Sequence, residues 1–428
     1  MERGRRADGG ALPFAHCAAG GGGASVSDRL RILFLAPYEP SELAARSRLL
    51  LAGLAARHHV DVLALHRSGR AVVASLPVDR LELFASAGVD RALALRHVFD
   101  RAFPLQSIAG ASRGLSRAVR AAVAEREYDL VHVEHIRALP HLPPRPRPPV
   151  LFDAVDCVSQ LFALAALEHH RPRRWLFEVE SRRVARFERS ALVTVDHVIV
   201  AAERDAASLR ALNPFARVAV VSNPVDPSRL PQTWQQRART VVMTGKMSFH
   251  ANAAAGRWLC DEIWPLVRSR HPSATLIVAG ANPSHRLRRS AGQGVVVTGW
   301  VGDLTGVVAS ASVAVAPLRY AVGVQNKVLD ALACATPVVA TPQAVGDLRL
   351  RDGRDVLVAC NAAEFATQIS RLLDDSQLAQ DIGEAGRIYV ERHHSPSRII
   401  SLLEREYEAM LRRVRGDAVR ASTLGVAR

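Results

Sequence analysis

Lysine is nearly absent from this chain of 428 residues, because only Lys246 and Lys327 are lysine among its 56 Lys and Arg residues. Where arginine is the default cation, a retained lysine is favoured at sites that need a compact ammonium, such as a diphosphate site. Lys246 directly follows Gly245, and Lys327 lies four positions after Gly323. The two lysines therefore indicate phosphate-binding loops, unless two leftover residues fall there by chance.

Cysteines and long apolar runs are also scarce. The five cysteines are odd in number and lack metal-ligand spacing, which indicates free thiols in a reducing cytoplasm rather than a disulfide or zinc framework. No run of eighteen or more apolar residues occurs, which argues against a spanning helix. The net charge of +15 favours anionic ligands or membranes, or reflects arginine on solvated faces, and no specific nucleic-acid motif accompanies it.

Short apolar strands alternate with longer amphipathic segments from residue 30 onward. This rhythm is typical of α/β folds whose parallel sheets are covered on both faces, and it restarts after Pro214. We therefore expect two doubly wound, Rossmann-like domains that face a cleft. The expected division is a disordered leader or mis-assigned start at 1–28, domains at 29–213 and 214–395, a closing helix at 396–415 and a disordered tail at 416–428.

The strongest motif spans residues 315–340. It reads as a strand, a loop with Gly323, a helix over 325–335, a turn and a second strand. Loop amides and a helix N-terminus stabilise an anion, and Lys327 falls in the first helical turn. Asp330, three residues further on, could pair with Lys327 or accept a sugar hydroxyl.

This motif resembles the signature of the retaining glycosyltransferases of family four, which have the two-domain GT-B fold and use nucleotide-activated sugars. Gly323 takes the place of the signature glycine and Asp330 that of its second acid, whereas Val322 stands where the first acid is expected. A closer resemblance is to the subgroup associated with bacterial exopolysaccharide clusters. The residues that match this subgroup are Pro317, Leu318, Arg319, Gly323, Gln325, Asn326, Lys327, Val328 and Leu329.

The resemblance implies a donor site built mainly on the second domain. Lys246 would contact the diphosphate from one loop, and Trp300 would either stack on the base or cap the core. The predicted donor-binding residues are Gly245, Lys246, Asn252, Gly280, Trp300, Val301, Arg319, Gly323, Val324, Gln325, Asn326, Lys327 and Asp330.

The first domain carries the acceptor side in this resemblance, although the family's Gly-rich turn before the first helix is missing. Arg46 and Arg48 match its Arg-x-Arg, and His132 and His135 would line the cleft; a solvated helix face and hydrogen-bonded core histidines are the alternatives. The subgroup's Asp-x-x-Asp is matched by two further acids. Asp153 and Asp156 would orient a sugar or acceptor hydroxyl, or only cap the next helix.

The function implied is that of a retaining hexosyltransferase that moves a sugar from a nucleotide-diphosphate donor to a glycan or lipid-linked acceptor, without metal or cofactor. Its predicted catalytic residues are Lys246, Lys327, Asp330, Asp153 and Asp156. We expect a cytoplasmic protein, with peripheral contact at the inner face of the plasma membrane through the basic, partly apolar segments 95–126 and 171–177 as an open alternative. A non-catalytic GT-B partner protein and a general anion-binding protein are the rival hypotheses.

Overall fold

The computed structural model describes residues 29–41, 45–66, 76–100, 102–144, 148–229 and 239–423, with side chains to residue 417. Predictions for the leader 1–28 and for residues 424–428 lie outside these ranges. The closing helix predicted to end at residue 415 continues to Thr423, so the predicted disordered tail is wrong for residues 416–423. The strands of the described chain are β1 (Arg31–Ala36), β2 (His59–His66), β3 (Arg80–Ala85), β4 (Leu130–Glu134), β5 (Val150–Val155), β6 (His197–Val200), β7 (Val218–Val220), β8 (Thr240–Thr244), β9 (Thr275–Ala279), β10 (Val295–Gly299), β11 (Val313–Ala316), β12 (Val338–Ala340) and β13 (Leu357–Val358).

The strands form two separate parallel sheets. The first has seven strands in the order β3-β2-β1-β4-β5-β6-β7, and the second has six in the order β10-β9-β8-β11-β12-β13. In both sheets the order reverses beside the first strand of the domain, at β1 and β8. Ligands of such open sheets bind outside the carboxyl ends of the strands at this reversal. The predicted pair of doubly wound domains is confirmed.

Helices connect the strands in both domains. They are α1 (Ala45–Ala55), α2 (Gly88–Ala94), α3 (Leu105–Ile108), α4 (Arg113–Glu125), α5 (Val158–Leu167), α6 (Arg173–Thr194), α7 (Glu203–Leu212), α8 (His250–Trp258), α9 (Trp264–Arg270), α10 (His285–Arg288), α11 (Leu304–Ser310), α12 (Asn326–Ala333), α13 (Pro342–Val345), α14 (Ala362–Asp374), α15 (Ser376–His393) and α16 (Pro396–Thr423). A π-helical turn, Leu259–Ile263, joins α8 to α9, so the three segments form one continuous helical stretch.

Both faces of the first sheet are covered, which explains its continuous apolar strands. Leu33 and Leu35 of β1 face α4, α6 and α7, whereas Phe34 faces α1 and α16. Tyr407 of α16 is fully buried in this second layer. The C-terminal helix therefore returns from the second domain to complete the core of the first, as predicted.

Two details of the predicted organisation are wrong. Strand β3 was not predicted, and it pairs with β2 at the edge of the first sheet with every side chain partly exposed or exposed. The segment Val218–Val220 was assigned to the second domain, but β7 pairs in parallel with β6. The first domain thus extends beyond residue 213, because a sheet edge can accept one more short strand before the chain crosses over.

Within the described ranges, no helix combines the length and apolar character that crossing a bilayer requires. The same residues contain no group of three or more His, Cys, Asp or Glu side chains placed to hold a metal ion.

Candidate functional site

The carboxyl ends of three neighbouring strands of the second sheet are tied together by backbone hydrogen bonds. Gly245 N, after β8, donates to Ala279 O at 3.1 Å, and Gly280 N, after β9, donates to Gly299 O at 2.9 Å. These loops therefore form one continuous rim at the edge of the sheet where a ligand is expected.

The two lysine-bearing loops meet at Asn252, in the first turns of α8. Lys327 Nζ donates to Asn252 Oδ1 at 2.6 Å. Asn252 Nδ2 donates in turn to the carbonyl oxygen of Lys246 at 3.1 Å. The structure thus joins three predicted donor-site residues, 75 and 6 positions apart in sequence, in one polar cluster.

Lys327 and Asp330 both lie on α12, partly exposed. Burial lowers the pKa of Lys327 to about 8 and raises the pKa of Asp330 to about 7. Neither forms an ion pair with another described residue, so the alternative of a Lys327–Asp330 pair is absent. Half-buried charges without a counter-charge are costly, and an anionic ligand at Lys327 would offset that cost.

The start of α12 is held by contacts from its own loop and from the first domain. The Gln325 side-chain amide donates to Val322 O at 2.8 Å and does not cap the helix. Asn223, at the crossover between the domains, donates to Asn326 Oδ1 at 2.7 Å and to Val324 O at 3.4 Å. Gln325 and Asn326 therefore fix the loop by their side chains, leaving backbone N–H groups of the first turn to face a ligand.

Gly323 connects the two domains through its backbone. Its N–H donates to Asp205 Oδ2 at 2.8 Å, and its carbonyl accepts from Arg204 Nη2 at 2.7 Å. A Cβ on Gly323, whose φ is +63°, would lie 1.8 Å from Asp156 Oδ1. The carboxylate of Asp156 thus reaches the predicted donor loop from the first domain, and only glycine leaves room for it.

Asp156 follows a strained strand end. Val155 has a φ of +64°, which is costly for a β-branched residue and recurs at functional sites. Burial, and then the negative charge of Asp205, raise the pKa of Asp156 to about 7. A carboxyl that titrates near neutrality in a cleft is a candidate for proton exchange or hydroxyl binding.

Comparison with known proteins agrees with this architecture. Residues 238–375, about a third of the chain, match the family described as Glycosyl transferases group 1. Sucrose-phosphate synthase from Thermosynechococcus elongatus superposes with a TM-score of 0.67 at 17% identity, over 89% of this chain and 99% of that one. The chain has the GT-B fold of the group 1 glycosyltransferases.

Two further GT-B structures are similar over nearly the whole chain. Anabaena HepE, in complex with UDP and glucose, gives a TM-score of 0.60 at 13% identity over 89% of this chain and 100% of that one. WaaG, a glycosyltransferase involved in lipopolysaccharide biosynthesis, gives 0.60 at 14% identity over 87% and 99%. No curated protein sequence matches the chain significantly.

Three predicted residues of the first GT-B domain lie in its interior. The side chains of Arg46 and Asp153 are 6% and 0% exposed and form an ion pair at 2.8 Å. His132 is fully buried, and its Nδ1 hydrogen-bonds Tyr407 Oη at 2.7 Å. Arg46 of α1 thus holds Asp153 of β5, and His132 of β4 lies against Tyr407 of α16, so these side chains support the core of the domain, and their contact with substrate stays a prediction. Asp153 thus supports the neighbouring turn, and its Oδ1 accepts from Val155 N at 3.1 Å.

The other two predicted acceptor-side residues, Arg48 and His135, differ in their exposure to solvent. Arg48 is buried at 9% exposure, which excludes a solvated helix face. His135 stays partly exposed after β4 with a φ of +63°. Burial, followed by the charge of Arg137, lowers the pKa of His135 to about 3, so its imidazole is neutral at physiological pH. Of the two predicted histidines, only His135 reaches the strand end.

Glu134 is a candidate that the sequence analysis missed. It ends β4 at 5% exposure, and Ser47 Oγ donates to its two carboxylate oxygens at 2.8 and 2.6 Å. Burial raises its pKa to about 7, and the charge of Asp153 adds to the rise. In the sequence, Glu134 is recognisable as an acid at the end of an apolar strand. The sequence analysis considered only the neighbouring His132 and His135 there.

Two predicted donor-binding residues of the second GT-B domain, Trp300 and Arg319, lie in different surroundings. Trp300 is 53% exposed on the loop after β10, so it does not cap the core, and Val301 beside it is partly exposed. Arg319 Nε instead forms an ion pair across the domains with Glu168 at 2.9 Å. Arg319 therefore joins the two domains, and its predicted contact with the donor stays a prediction.

Replacing Trp300 by alanine should weaken nucleotide binding about tenfold, because base–aromatic stacking contributes roughly 1–3 kcal/mol. The exposed side chain makes the change nearly neutral for folding. Isothermal titration with nucleoside diphosphates measures the effect, and Trp300→Phe should recover most of the affinity. Equal affinity of the wild type and Trp300→Ala would contradict base stacking.

Proposed function

We propose that the protein is a retaining glycosyltransferase that moves a sugar from a nucleotide-diphosphate donor to a glycan or lipid-linked acceptor, in the synthesis of exopolysaccharide or another cell-surface glycan. The observation that carries the proposal is the joining of the Lys246 and Lys327 loops through Asn252 beside the N-terminus of α12. Such a cluster of ammonium and amide groups suits a diphosphate.

The chemistry follows from where charge develops. As the bond from the anomeric carbon to the diphosphate breaks, the leaving oxygen gains negative charge that Lys246, Lys327 and the α12 dipole stabilise. The acceptor hydroxyl attacks from the same face, its oxygen bonds to the anomeric carbon, and its proton passes to the leaving phosphate oxygen. Retention results. Asp156, which is partly exposed beside Gly323, would orient the acceptor hydroxyl.

The similar structures support a uridine nucleotide and a surface glycan. HepE is described with UDP and glucose, and WaaG with lipopolysaccharide biosynthesis. We infer the same donor class here, with no metal or cofactor, because Lys246 and Lys327 supply the cationic charge at the diphosphate. We further propose a cytoplasmic enzyme with peripheral membrane contact.

One observation favours a non-catalytic GT-B partner protein as the second candidate. Val322, in the place of the expected first acid, is 6% exposed and packs in an apolar cluster with Leu161, Ala165, Ala251 and Tyr320. This cluster joins α5 of the first domain to α8 and the loop of the second. An acid at 322 would be buried without a partner, so this chain uses the position for domain contact.

A thermal-shift screen against UDP, GDP, ADP, CMP and their sugar conjugates tests donor binding, with Lys246→Ala and Lys327→Ala as matched variants. We expect stabilisation by one diphosphate that both variants lose. Product analysis by NMR then tests transfer and the configuration of the new bond. Stabilisation without any transfer or donor hydrolysis would select the non-catalytic candidate, and no stabilisation of folded protein would overturn the proposed donor site.

The pH dependence of kcat/KM should be bell-shaped, with limbs near pH 7 and pH 8. Lys327 is charged below its pKa of about 8, so diphosphate capture is lost as pH rises through that value. Asp330 accepts hydroxyl hydrogen bonds as a carboxylate above its pKa of about 7, so activity is lost as pH falls through it. Free-enzyme groups govern kcat/KM.

Two variants assign these limbs. Lys327→Arg should remove the alkaline limb, since guanidinium stays charged, and Asp330→Asn should remove the acid limb. Binding of the bare nucleoside diphosphate should show the alkaline limb alone. Persistence of the acid limb in Asp330→Asn would assign it to another carboxyl, such as Asp156 or Glu134.

A further inference from the structure

A cavity of about 510 Å³ lies between the domains, apart from the two lysine loops. Residues 168–172, between α5 and α6, and Arg173 at the start of α6 form one wall, and Ala254, Arg257 and Trp258 of α8 form part of the other. These α8 residues lie one to two turns beyond His250, which hydrogen-bonds Tyr320 Oη at 2.7 Å. The residues that line the cavity thus include none of the Lys246 and Lys327 loop residues that form the proposed donor site.

The cavity has an excess of positive charge. Each acid that lines it is already held by another side chain: Glu168 by Arg319 (2.9 Å), Asp261 by Arg286 (3.1 Å) and Glu262 by Trp258 Nε1 (3.2 Å). By contrast, Arg171, Arg173 and Arg257 line the cavity without an ion pair to any described residue. Their charge is thus available to an anion that enters from solvent.

Arg257 shows that these arginines repel one another. Its guanidinium is partly exposed, and its pKa is lowered by burial and then by the positive charges of Arg286 and Arg173. Planar guanidinium groups bind phosphate oxygens in pairs, which relieves such repulsion. The lining fits a phosphate group bound by both domains at once.

Exposed apolar side chains are concentrated in two segments of the first domain, one of which adjoins this cavity. Nine of the sixteen large apolar side chains that are exposed in the described chain fall in residues 89–105 and 167–176. We call these nine the apolar surface: Val89, Leu93, Leu95, Val98, Phe99, Leu105, Leu167, Trp175 and Leu176. Monomeric proteins rarely leave so many in one region unless they bind a partner or a lipid surface.

Helix α6 joins the two segments of the apolar surface. Leu105 N donates to Glu180 Oε1 at 2.9 Å, and Arg183 Nη1 donates to Val98 O at 2.8 Å. Glu180 follows the cavity residue Arg173 by seven positions, or about 10 Å of helix at 1.5 Å per residue. The apolar surface therefore begins at the cavity, with Trp175 and Leu176, and continues along α6.

We propose that the interdomain cavity binds the phosphate-bearing head group of an anionic lipid whose apolar part lies on the apolar surface. Arginines next to exposed Trp, Phe and Leu form the pairing that an anionic lipid interface requires. Mainly aliphatic side chains do not offer a stacking platform for bases, which disfavours a nucleic acid. The proposal rests on the peripheral membrane contact proposed above and names its site and its lipid class, and it does not depend on transferase activity.

Vesicle sedimentation tests the proposal with the full chain, using phosphatidylcholine alone or mixed with phosphatidylglycerol. The wild type should bind only the mixed vesicles. The double variant Arg173→Gln/Arg257→Gln should bind roughly thirtyfold more weakly, because each of the two arginines near an anionic surface contributes about 1 kcal/mol. The matched control Arg351→Gln/Arg412→Gln removes two exposed arginines elsewhere, whose side chains are 61% and 72% exposed, and should bind as the wild type does.

The apolar part has its own controls. Phe99→Ser/Trp175→Ser should lose vesicle binding, whereas Phe215→Ser, at a phenylalanine that is 94% exposed outside the apolar surface, should not. Soluble dihexanoyl phosphatidate should raise the melting temperature of the wild type but not of Arg173→Gln/Arg257→Gln. If Arg173→Gln/Arg257→Gln and Arg351→Gln/Arg412→Gln lose vesicle binding equally, the effect reflects net charge alone, and the proposed head-group site would be overturned.

Two other outcomes would also overturn the lipid proposal. Inorganic phosphate that stabilises as well as dihexanoyl phosphatidate would identify a free phosphate ligand, and full competition by single-stranded RNA would identify a general polyanion surface. Nucleotide-induced stabilisation should be unchanged in Arg173→Gln/Arg257→Gln. That result separates a failure of this site from a failure of the proposed donor site.

Discussion

Replacing Lys327 by methionine is expected to lower kcat by about 10²–10³-fold, the usual cost of removing one group that stabilises transition-state charge. Methionine keeps an unbranched apolar stem, so packing around the half-buried side chain changes little. The substitution also removes the 2.6 Å bond to Asn252 Oδ1 and thereby loosens the link to the Lys246 loop. Steady-state transfer assays at pH 7.5, between the two expected limbs, measure the loss.

Lys246 provides the matched comparison, because its side chain is exposed at the rim of the same site. Solvent screens an exposed charge, so the charge of Lys246 contributes less to the transition state. Lys246→Met should therefore raise KM by about tenfold and lower kcat by less than that. Lys327→Arg should recover only part of kcat, since a planar guanidinium does not fit the position of a compact ammonium. Equal kcat for wild type and Lys327→Met would remove Lys327 from the reaction.

The sequence predicted best those features that depend on neighbouring residues, such as buried strands and glycine-containing loops. The alternation of apolar runs with amphipathic segments predicted the two doubly wound domains, and the glycine loop before α12 led to the donor-site prediction. The pairing of Lys327 with Asn252 could not be predicted, because it depends on how α8 and α12 approach in three dimensions.

The first domain was harder to interpret because polar residues at strand ends point either into the cleft or into the interior. Asp153 and Asp156 are only three positions apart, yet the first is fully buried against Arg46 and the second reaches Gly323. The left-handed backbone at Val155 separates the two directions. No propensity predicts a left-handed valine, so the sequence could not distinguish the acids.

Replacing Gly280 by alanine is expected to destabilise the second domain by more than about 3 kcal/mol, near the upper end of single-residue effects. Gly280 has a φ of +145°, and an added Cβ would lie 1.8 Å from the carbonyl oxygen of Gly245. Backbone cannot rotate away as a side chain can. The β8 and β9 loops would have to separate, which breaks the bond from Gly245 N to Ala279 O.

Gly292 separates the cost of the positive φ from the cost of the steric clash. Its φ is +109°, but an added Cβ would meet nothing within 4 Å. Gly292→Ala should therefore show backbone strain alone, about 1–2 kcal/mol. Urea unfolding followed by tryptophan fluorescence measures both variants, and the difference between them measures the close approach of the two loops. If Gly280→Ala retains stability like that of Gly292→Ala, the loops can move apart at little cost. Nucleotide binding should then fall in Gly280→Ala alone, because Lys246 moves with the loop that Gly280 displaces.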